Sequence, residues 1–305
     1  MIDGFSEEEV ARYWDANAAS WAEQVRGGGD VAREWLNNPA FLQFLGDLRG
    51  REVLDAGCGE GYNTRILARR GARMAGVDVS EGMIALAVQA ERREPLGIRY
   101  TRTSYAELGV FADASFDGVV SFMALMDGPG FDRAMQEAFR VLRPGGLLAF
   151  SIRHPCFLTK GAKWVRNEEG VKIKWMVGDY FDSTGWVERW RFTDAPPEAP
   201  EFVVPRFDRT LSEYVNGIIA AGFVLKRIEE PGRRRNTVRR IRASAAGATT
   251  WRSSCTFARR SPSLRAGEGR LELLARDRVA HPGERAPVLH LARALEEGGE
   301  REPRQ

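Results

Sequence analysis

Short apolar runs alternate with amphipathic stretches between residues 51 and 152. A short apolar run is typical of a buried strand, whereas apolar residues that recur every three or four positions indicate a helix. This alternation predicts right-handed βαβ units and an α/β fold with a doubly wound, mainly parallel sheet. The predicted strands are 53–56, 74–79, 97–103, 116–122 and 147–152, and the predicted helices are 62–70, 80–92 and 131–142.

The N-terminal residues follow a helical pattern before the first strand begins. Residues 6–26 and 31–45 carry apolar side chains at helical spacing, and glycines 27–29 form a hinge between them. Ser6 and Glu9 fit a capping box at the start of the first helix.

An insertion is predicted after the fifth strand. Residues 159–208 are too many for a loop, and aromatic and charged residues alternate at 172–177 and 186–192, which predicts an antiparallel hairpin between these two runs. At this position the segment would form a β-rich cap over the carboxyl edge of the sheet. A helix at 210–221 and a sixth strand at 222–229 are predicted to follow it.

Composition and charge limit the classes of function. The chain has 305 residues, is 43% hydrophobic and contains no apolar run of about 18 residues, so it can bury a core and no membrane partner is predicted. Residues 1–9 are acidic and lack an apolar signal region, which predicts a cytoplasmic protein. Cys58, Cys156 and Cys255 show neither zinc-finger nor disulfide spacing, so no metal site is predicted. Residues 1–232 hold 28 Lys and Arg against 34 Asp and Glu, which does not favour a nucleic-acid partner.

The candidate chemistry lies where the first two strands end. Residues 53–61 read V-L-D-A-G-C-G-E-G, and residues 76–80 read G-V-D-V-S. A glycine turn lets the backbone approach a ligand where a Cβ would collide. An acid at the tip of the second strand, here Asp78, can hold both hydroxyls of a ribose. The glycines fall as G-x-G-x-G after Asp55, which differs from the G-x-G-x-x-G of dinucleotide sites.

These two motifs resemble the first two motifs of class I S-adenosylmethionine (SAM) dependent methyltransferases, which have a Rossmann-like fold. Downstream, S-F-D-G-V-V-S at 115–121 resembles the fourth strand of that family, and R-V-L-R-P-G-G at 140–146 resembles the turn before its fifth. The resemblance therefore spans residues 53–150 in the family order. It implies a SAM-binding methyltransferase domain at 51–232, with residues 1–50 forming a helical lid.

The resemblance also assigns the parts of the cofactor. Asp55 and the backbone of residues 57–59 would hold the amino-acid end of SAM, and Asp78 would hold the ribose. The family commonly has an acid after the third strand that takes the adenine amino group, whereas Ser104 or Tyr105 holds that place here. Arg26 and Arg33 are candidate partners for the SAM carboxylate. The predicted cofactor-binding residues are Asp55, Gly57, Cys58, Gly59, Asp78, Val79, Met83, Ser104, Tyr105 and Phe122.

The acceptor side is less defined by the sequence. His154 follows the fifth strand and is either a general base, a role that histidine commonly takes, or a structural imidazole that shapes the pocket. Aromatic residues are candidates for contact with the acceptor, and packing within the protein is an equal alternative for each of them. The predicted substrate-side residues are Tyr13, Trp14, Met126, Tyr180, Trp186 and Trp190.

The resemblance implies an enzyme that transfers a methyl group from SAM to an oxygen or nitrogen of a small-molecule acceptor. The N-P-P-Y motif of amide-nitrogen methylation is absent after the fourth strand, which favours a hydroxyl or an amine. An RNA or tRNA methyltransferase and a SAM-binding regulator without activity are the alternatives. A monomer or a homodimer is expected.

The end of the chain departs from this pattern. Residues 233–305 hold 17 Arg and 8 Asp and Glu, and no alternating apolar run after residue 240 supplies the seventh strand of the family, so that strand is predicted to be missing. With suitable codons, residues 241–262 read one nucleotide earlier encode a strand. We therefore hypothesise that the chain is out of frame from about residue 241. The alternative is a basic, disordered tail with a helix near 288–297.

Overall fold

The computed structural model describes residues 5–26, 30, 33–192, 198–231 and 288–294. The central sheet of the described residues has seven strands: β1 Glu52–Ala56, β2 Arg73–Asp78, β3 Arg99–Arg102, β4 Phe116–Phe122, β5 Leu142–Arg153, β10 Arg227–Glu229 and β11 Val288–Ala294. Their spatial order is β10-β11-β5-β4-β1-β2-β3. Strands β1 to β5 are parallel, and β11 runs antiparallel between β5 and β10.

Helices cover both faces of this sheet. The predicted helix at 31–45 is instead a π-helical turn, Arg33–Asn37, followed by a short α-helix. The α-helices are α1 Glu7–Arg26, α2 Asn38–Leu45, α3 Tyr62–Arg69, α4 Glu81–Arg93, α5 Phe131–Val141 and α6 Leu211–Ala220. Helix α6 begins with a complete capping box between Thr210 and Glu213, which satisfies two backbone N–H groups that the first turn leaves without partners.

The core consists of two apolar layers, one on each face of the sheet. Adjacent residues point in opposite directions along a strand, so Leu54 joins the layer under α5 and α6 while Val53 joins the layer under α2 and α3. Val119 and Val120 on β4 divide in the same way. A strand covered on both faces must be apolar at successive positions, which is why these strands read as continuous apolar runs.

Two strand predictions need correction. Strand β5 begins at Leu142 rather than at 147, because Leu142 pairs with Phe116 before a bulge shifts the register. The predicted absence of a seventh strand is wrong, because Val288–Ala294 pairs with both β5 and β10. The predicted helix near 288–297 is wrong over the same residues. The hypothesis of a changed reading frame concerns residues from about 241 onward, of which 241–287 and 295–305 lie outside the described residues, and it stays a hypothesis.

The described part of the cap contains two hairpins rather than one. Its four strands are β6 Lys163–Arg166, β7 Lys172–Met176, β8 Trp186–Trp190 and β9 Phe202–Arg206. The runs predicted to pair with each other form β7 and β8, but β7 pairs with β6 and β8 pairs with β9. Strand β9 also packs against α1, and the aromatic rings of β8 and β9 contact Trp21 of α1.

Candidate functional site

The turn after β1 has a backbone that only glycine adopts without strain. Gly57, Gly59 and Gly61 have φ values of 79°, 54° and 81°. The N–H groups of Gly57 and Cys58 both donate to the carbonyl of Val77, each at 2.9 Å. A Cβ on Gly57 would lie 2.4 Å from the Cβ of Ala124. The turn is therefore held against the ends of β2 and β4, at the carboxyl edge where ligands of such sheets bind.

Asp78 at the tip of β2 is fixed by the same turn. Its two carboxylate oxygens accept hydrogen bonds from the N–H of Gly59 at 2.9 Å and from the N–H of Ser80 at 3.0 Å. Burial raises the pKa of Asp78 to about 6, although both hydrogen bonds oppose this shift. Each oxygen keeps a further lone pair, so the carboxylate is oriented and can still accept from two neighbouring hydroxyls.

Asp55 at the end of β1 is buried and lies in the crevice that the glycine turn and Asp78 form at the sheet edge. The hydroxyl of Thr64 donates to its Oδ2 at 2.6 Å, whereas its buried Oδ1 has no hydrogen-bond partner among the described residues. Burial raises the pKa of Asp55 to about 7, and the nearby charge of Asp78 adds to the shift. A buried carboxylate oxygen without a donor is costly, and a bound ammonium group would satisfy it.

A cavity between α1 and the sheet continues the crevice beyond Asp78. Val79, Thr103 and Ser104 line its sheet side, and Glu7 and Asp15 line its lid side. The carboxylate of Asp15 accepts from the hydroxyl of Ser80 at 2.6 Å and from the N–H of Gly82 at 2.9 Å. These bonds attach the lid to the N-terminus of α4, where a negative charge is favourable.

A second contact joins the lid region to the glycine turn. The carboxylate of Glu60 accepts from the indole N–H of Trp21 at 3.1 Å and from the guanidinium of Arg33 at 3.1 Å. The Arg33 guanidinium also lies 4.1 Å from the centre of the Tyr62 ring. Arg33 is thus adjacent to the turn, and its role as a partner of the SAM carboxylate stays a prediction. Glu60 was not a predicted site residue, because its partners are distant in sequence.

The other predicted cofactor residues surround the turn. The Tyr105 ring lies between Gly57 and Gly128, and burial raises the pKa of its hydroxyl well above the ordinary value. Cys58 and Met83 are buried beside Asp78 and Ser80. Phe122 is also buried, but its ring packs edge-on against Phe41 at 4.8 Å, on the face of the sheet that carries α2.

A largely buried chain of charged side chains lies between the cap and the carboxyl ends of β4 and β5. Arg206 of β9 pairs with Asp127, which follows β4, and with Glu188 of β8. Arg153 at the end of β5 lies 3.4 Å from Glu188. The Arg206 side chain is only 4% exposed. This chain of charges joins the cap to the strand tips, and no pattern in the sequence predicts it.

Most of the predicted acceptor-side aromatic residues have partners within the protein. The indole of Trp186 donates to Asp208 at 2.8 Å, and the Tyr180 hydroxyl accepts from the N–H of Leu211 at 2.8 Å. Trp190 joins an aromatic cluster with Trp21, 6.1 Å between ring centres. The remaining members of the predicted set are Tyr13 near Phe5, Trp14 near Trp21, and Met126, which is buried with its sulfur 3.3 Å from the N–H of Arg153.

His154 has a partner at each ring nitrogen. Its Nδ1 accepts from the N–H of Cys156 at 3.2 Å, and its Nε2 lies 2.7 Å from a carboxylate oxygen of Glu230. A hydrogen between Nε2 and Glu230 fixes one tautomer of the ring. Removal of a substrate proton would require one of these contacts to open, so the assignment of His154 as a base stays a prediction.

The residues of the crevice fit SAM. The Oδ1 of Asp55, which has no hydrogen-bond partner in the described part of the chain, suits the ammonium group. The turn at Gly57 leaves no space for a side chain, and Asp78 presents an oriented carboxylate. Among the described residues there is no group of three or more His, Cys, Asp or Glu placed to hold a metal ion. No helix in the described part of the chain has the length and apolarity to span a membrane. The fold and this crevice define a Rossmann-like methyltransferase.

Comparisons with known proteins agree with this class. The methyltransferase domain family matches residues 54–150. Ubiquinone biosynthesis O-methyltransferase of Hahella chejuensis is 34% identical over 161 residues, which are 47% of this chain and 68% of that enzyme. An uncharacterized protein of Haemophilus influenzae is 26% identical over 234 residues, 73% of this chain and 87% of that protein. The crystal structure of a SAM-dependent methyltransferase from Mesorhizobium loti has a TM-score of 0.56 and 24% identity, and covers 84% of this chain and 96% of that one. The chain belongs to the class I SAM-dependent methyltransferases, and its cofactor is SAM.

Proposed function

We propose that this methyltransferase acts on a hydroxyl oxygen of a small-molecule acceptor held between the sheet edge, α1 and the cap. The observation that carries the proposal is the enclosure of the edge by the cap, which the ion pairs of Arg206 with Asp127 and Glu188 hold over the ends of β4 and β5. A small molecule fits such an enclosure better than a nucleic acid does, and the net charge of −6 on residues 1–232 also disfavours RNA. The O-methyltransferase relative supports oxygen over nitrogen as the acceptor atom.

Within this proposal, Asp55 holds the ammonium group of SAM, the backbone of residues 57–59 lies against its amino-acid end, and Asp78 accepts from both ribose hydroxyls. SAM supplies a methyl group on a positively charged sulfur. The task of the protein is to align the acceptor oxygen with that group and to exclude water, and such positioning can contribute several kcal/mol. The aromatic cluster of Trp21, Trp190 and Phe202 covers the joint between lid and cap and provides the exclusion.

An assay for S-adenosylhomocysteine formation tests the proposal. We expect turnover with one or more members of a panel of phenols and catechols, and none with unmodified tRNA. A matched panel of aromatic amines tests the choice of oxygen, because turnover with amines alone would contradict it. Turnover with tRNA, or with no acceptor in any panel despite tight SAM binding, would contradict the small-molecule proposal and favour the RNA or the regulatory alternative.

A further inference from the structure

The edge of the predicted adenine pocket carries a carboxylate from the lid. The hydroxyl of Ser104, where the resemblance implied an acid, donates to Oε2 of Glu7 at 3.1 Å. Glu7 is in the first turn of α1 and lies 97 residues from Ser104 in sequence. The side chain of Glu7 therefore reaches from the lid to the end of β3, and its carboxylate binds Ser104 at the position where neither Ser104 nor Tyr105 supplies an acid.

This carboxylate can accept further hydrogen bonds. Its Oε1 accepts none from the described residues, whereas Oε2 receives the Ser104 hydroxyl. Burial raises the pKa of Glu7, the charge of Glu107 adds to that shift, and the Ser104 hydrogen bond and Arg209 oppose it. An acid half withdrawn from water binds a donor more strongly than an exposed acid does.

The cavity that Glu7 shares with Val79, the neighbour of Asp78, indicates which ligand group could donate a hydrogen bond to Glu7. Val79 follows Asp78 in sequence and lines the same cavity as Ser104 and Glu7. A base whose ribose is held by Asp78 would enter this cavity over Val79, and the exocyclic amino group of adenine is the donor on its outer edge. We propose that Glu7 accepts a hydrogen bond from that amino group, so that closure of α1 and recognition of adenine occur together. This inference rests on the proposed placement of SAM against Asp78.

Calorimetry with two ligands tests the role of Glu7. The first ligand is S-adenosylhomocysteine, and the second is its analogue in which hydrogen replaces the exocyclic amino group. Because hydrogen bonds to a charged group are among the stronger ones, we expect the wild type to prefer the first ligand by roughly 10- to 100-fold. Glu7→Ala should bind both ligands with similar affinity. Glu7→Gln, which keeps an acceptor oxygen, should retain part of the preference.

Glu9→Ala is the matched control, because Glu9 is an acid in the same helical turn that does not line the cavity, and its loss also weakens the helix terminus. This variant should keep the full preference, and circular dichroism should show that all variants are folded. Equal weakening of both ligands by Glu7→Ala would show that Glu7 acts only through the lid and would overturn the inference while SAM binding stands. A wild type that binds neither ligand would overturn the proposed placement of SAM and this inference with it.

Discussion

Replacement of Asp55 by asparagine should stabilise the empty protein at alkaline pH while it removes the site for the ammonium group. Asparagine keeps an acceptor for the Thr64 hydroxyl, which now bonds to Oδ2 at 2.6 Å. It removes the buried charge that has no partner at Oδ1 among the described residues. The variant therefore separates the cost of this charge to the fold from its use in binding.

The size of the stability cost of this charge follows from the pKa of Asp55, which burial raises from 3.8 to about 7. The folded state keeps the Asp55 proton up to about pH 7, whereas the unfolded state keeps it only up to about pH 4. Protonation therefore stabilises the fold fully below about pH 4, and this stabilisation decreases as the pH rises and is lost once the pH has passed 7. At 1.36 kcal/mol per pKa unit, ionised Asp55 lowers the free energy of unfolding by roughly 4 kcal/mol. Between pH 8 and pH 5 the wild type should gain roughly 3 kcal/mol from this group, whereas Asp55→Asn should gain nothing from it.

Urea unfolding followed by tryptophan fluorescence at pH 8 and pH 5 measures this difference. We expect Asp55→Asn to be more stable than the wild type at pH 8, and its advantage to shrink by roughly 3 kcal/mol at pH 5. Asp47→Asn is the control, because Asp47 is exposed with a pKa that Arg49 holds below its ordinary value, so its effect should not change between the two pH values. A difference between Asp55→Asn and the wild type that is equal at both pH values would refute the reasoning.

Four further variants test the site and the elements that hold it. Gly57→Ala should destabilise the fold by about 3 kcal/mol because its Cβ would overlap Ala124, whereas Gly59→Ala, with open space around it, should cost only about 1 kcal/mol of backbone strain, both by urea unfolding. Arg206→Met should lower stability by about 3 kcal/mol at pH 7, because buried Asp127 loses its cation and Glu188 keeps only Arg153, and by much less at pH 4, because burial raises the pKa of Asp127 and favours its neutral form; an equal loss at both pH values would argue against the charge chain. His154→Gln should lower turnover by about 100-fold if His154 is the base; a loss under about threefold would leave only its contacts with Cys156 and Glu230.

The part of the fold that sequence predicts well is the part whose signal is local. Strands β1, β2 and β4 are short apolar runs, and the glycine turn and Asp78 follow them directly, so their positions at the carboxyl edge come from strand order alone. The partners of β7 and β8 were predicted wrongly because pairing joins distant residues, and a pattern of alternation does not specify them. The strand Val288–Ala294 contains leucine, alanine and arginine, which favour a helix in isolation. It is a strand here because it pairs with β5 on one side and with β10 on the other.

The site divides in the same way. The acids Asp55 and Asp78 belong to motifs in the sequence, whereas the acid beside Ser104 comes from α1 and is brought there only by packing. Similarly, Asp127 and Arg206 are 79 residues apart, and their pairing depends on how the cap folds over the sheet. Side chains that act on the same ligand from separate elements leave no joint pattern in a single sequence.

The proposed function requires that Asp55, the glycine turn and Asp78 bind the same molecule of SAM. Titration calorimetry of SAM into the wild type and into Asp78→Ala tests this directly, with exposed Asp47→Ala as the control. We expect one molecule of SAM per chain, an affinity unchanged in Asp47→Ala, and a loss of at least about 10-fold in Asp78→Ala, since two charge-assisted hydrogen bonds to the ribose are removed. Equal affinity in the wild type and Asp78→Ala, or no binding to the wild type, would contradict the central claim.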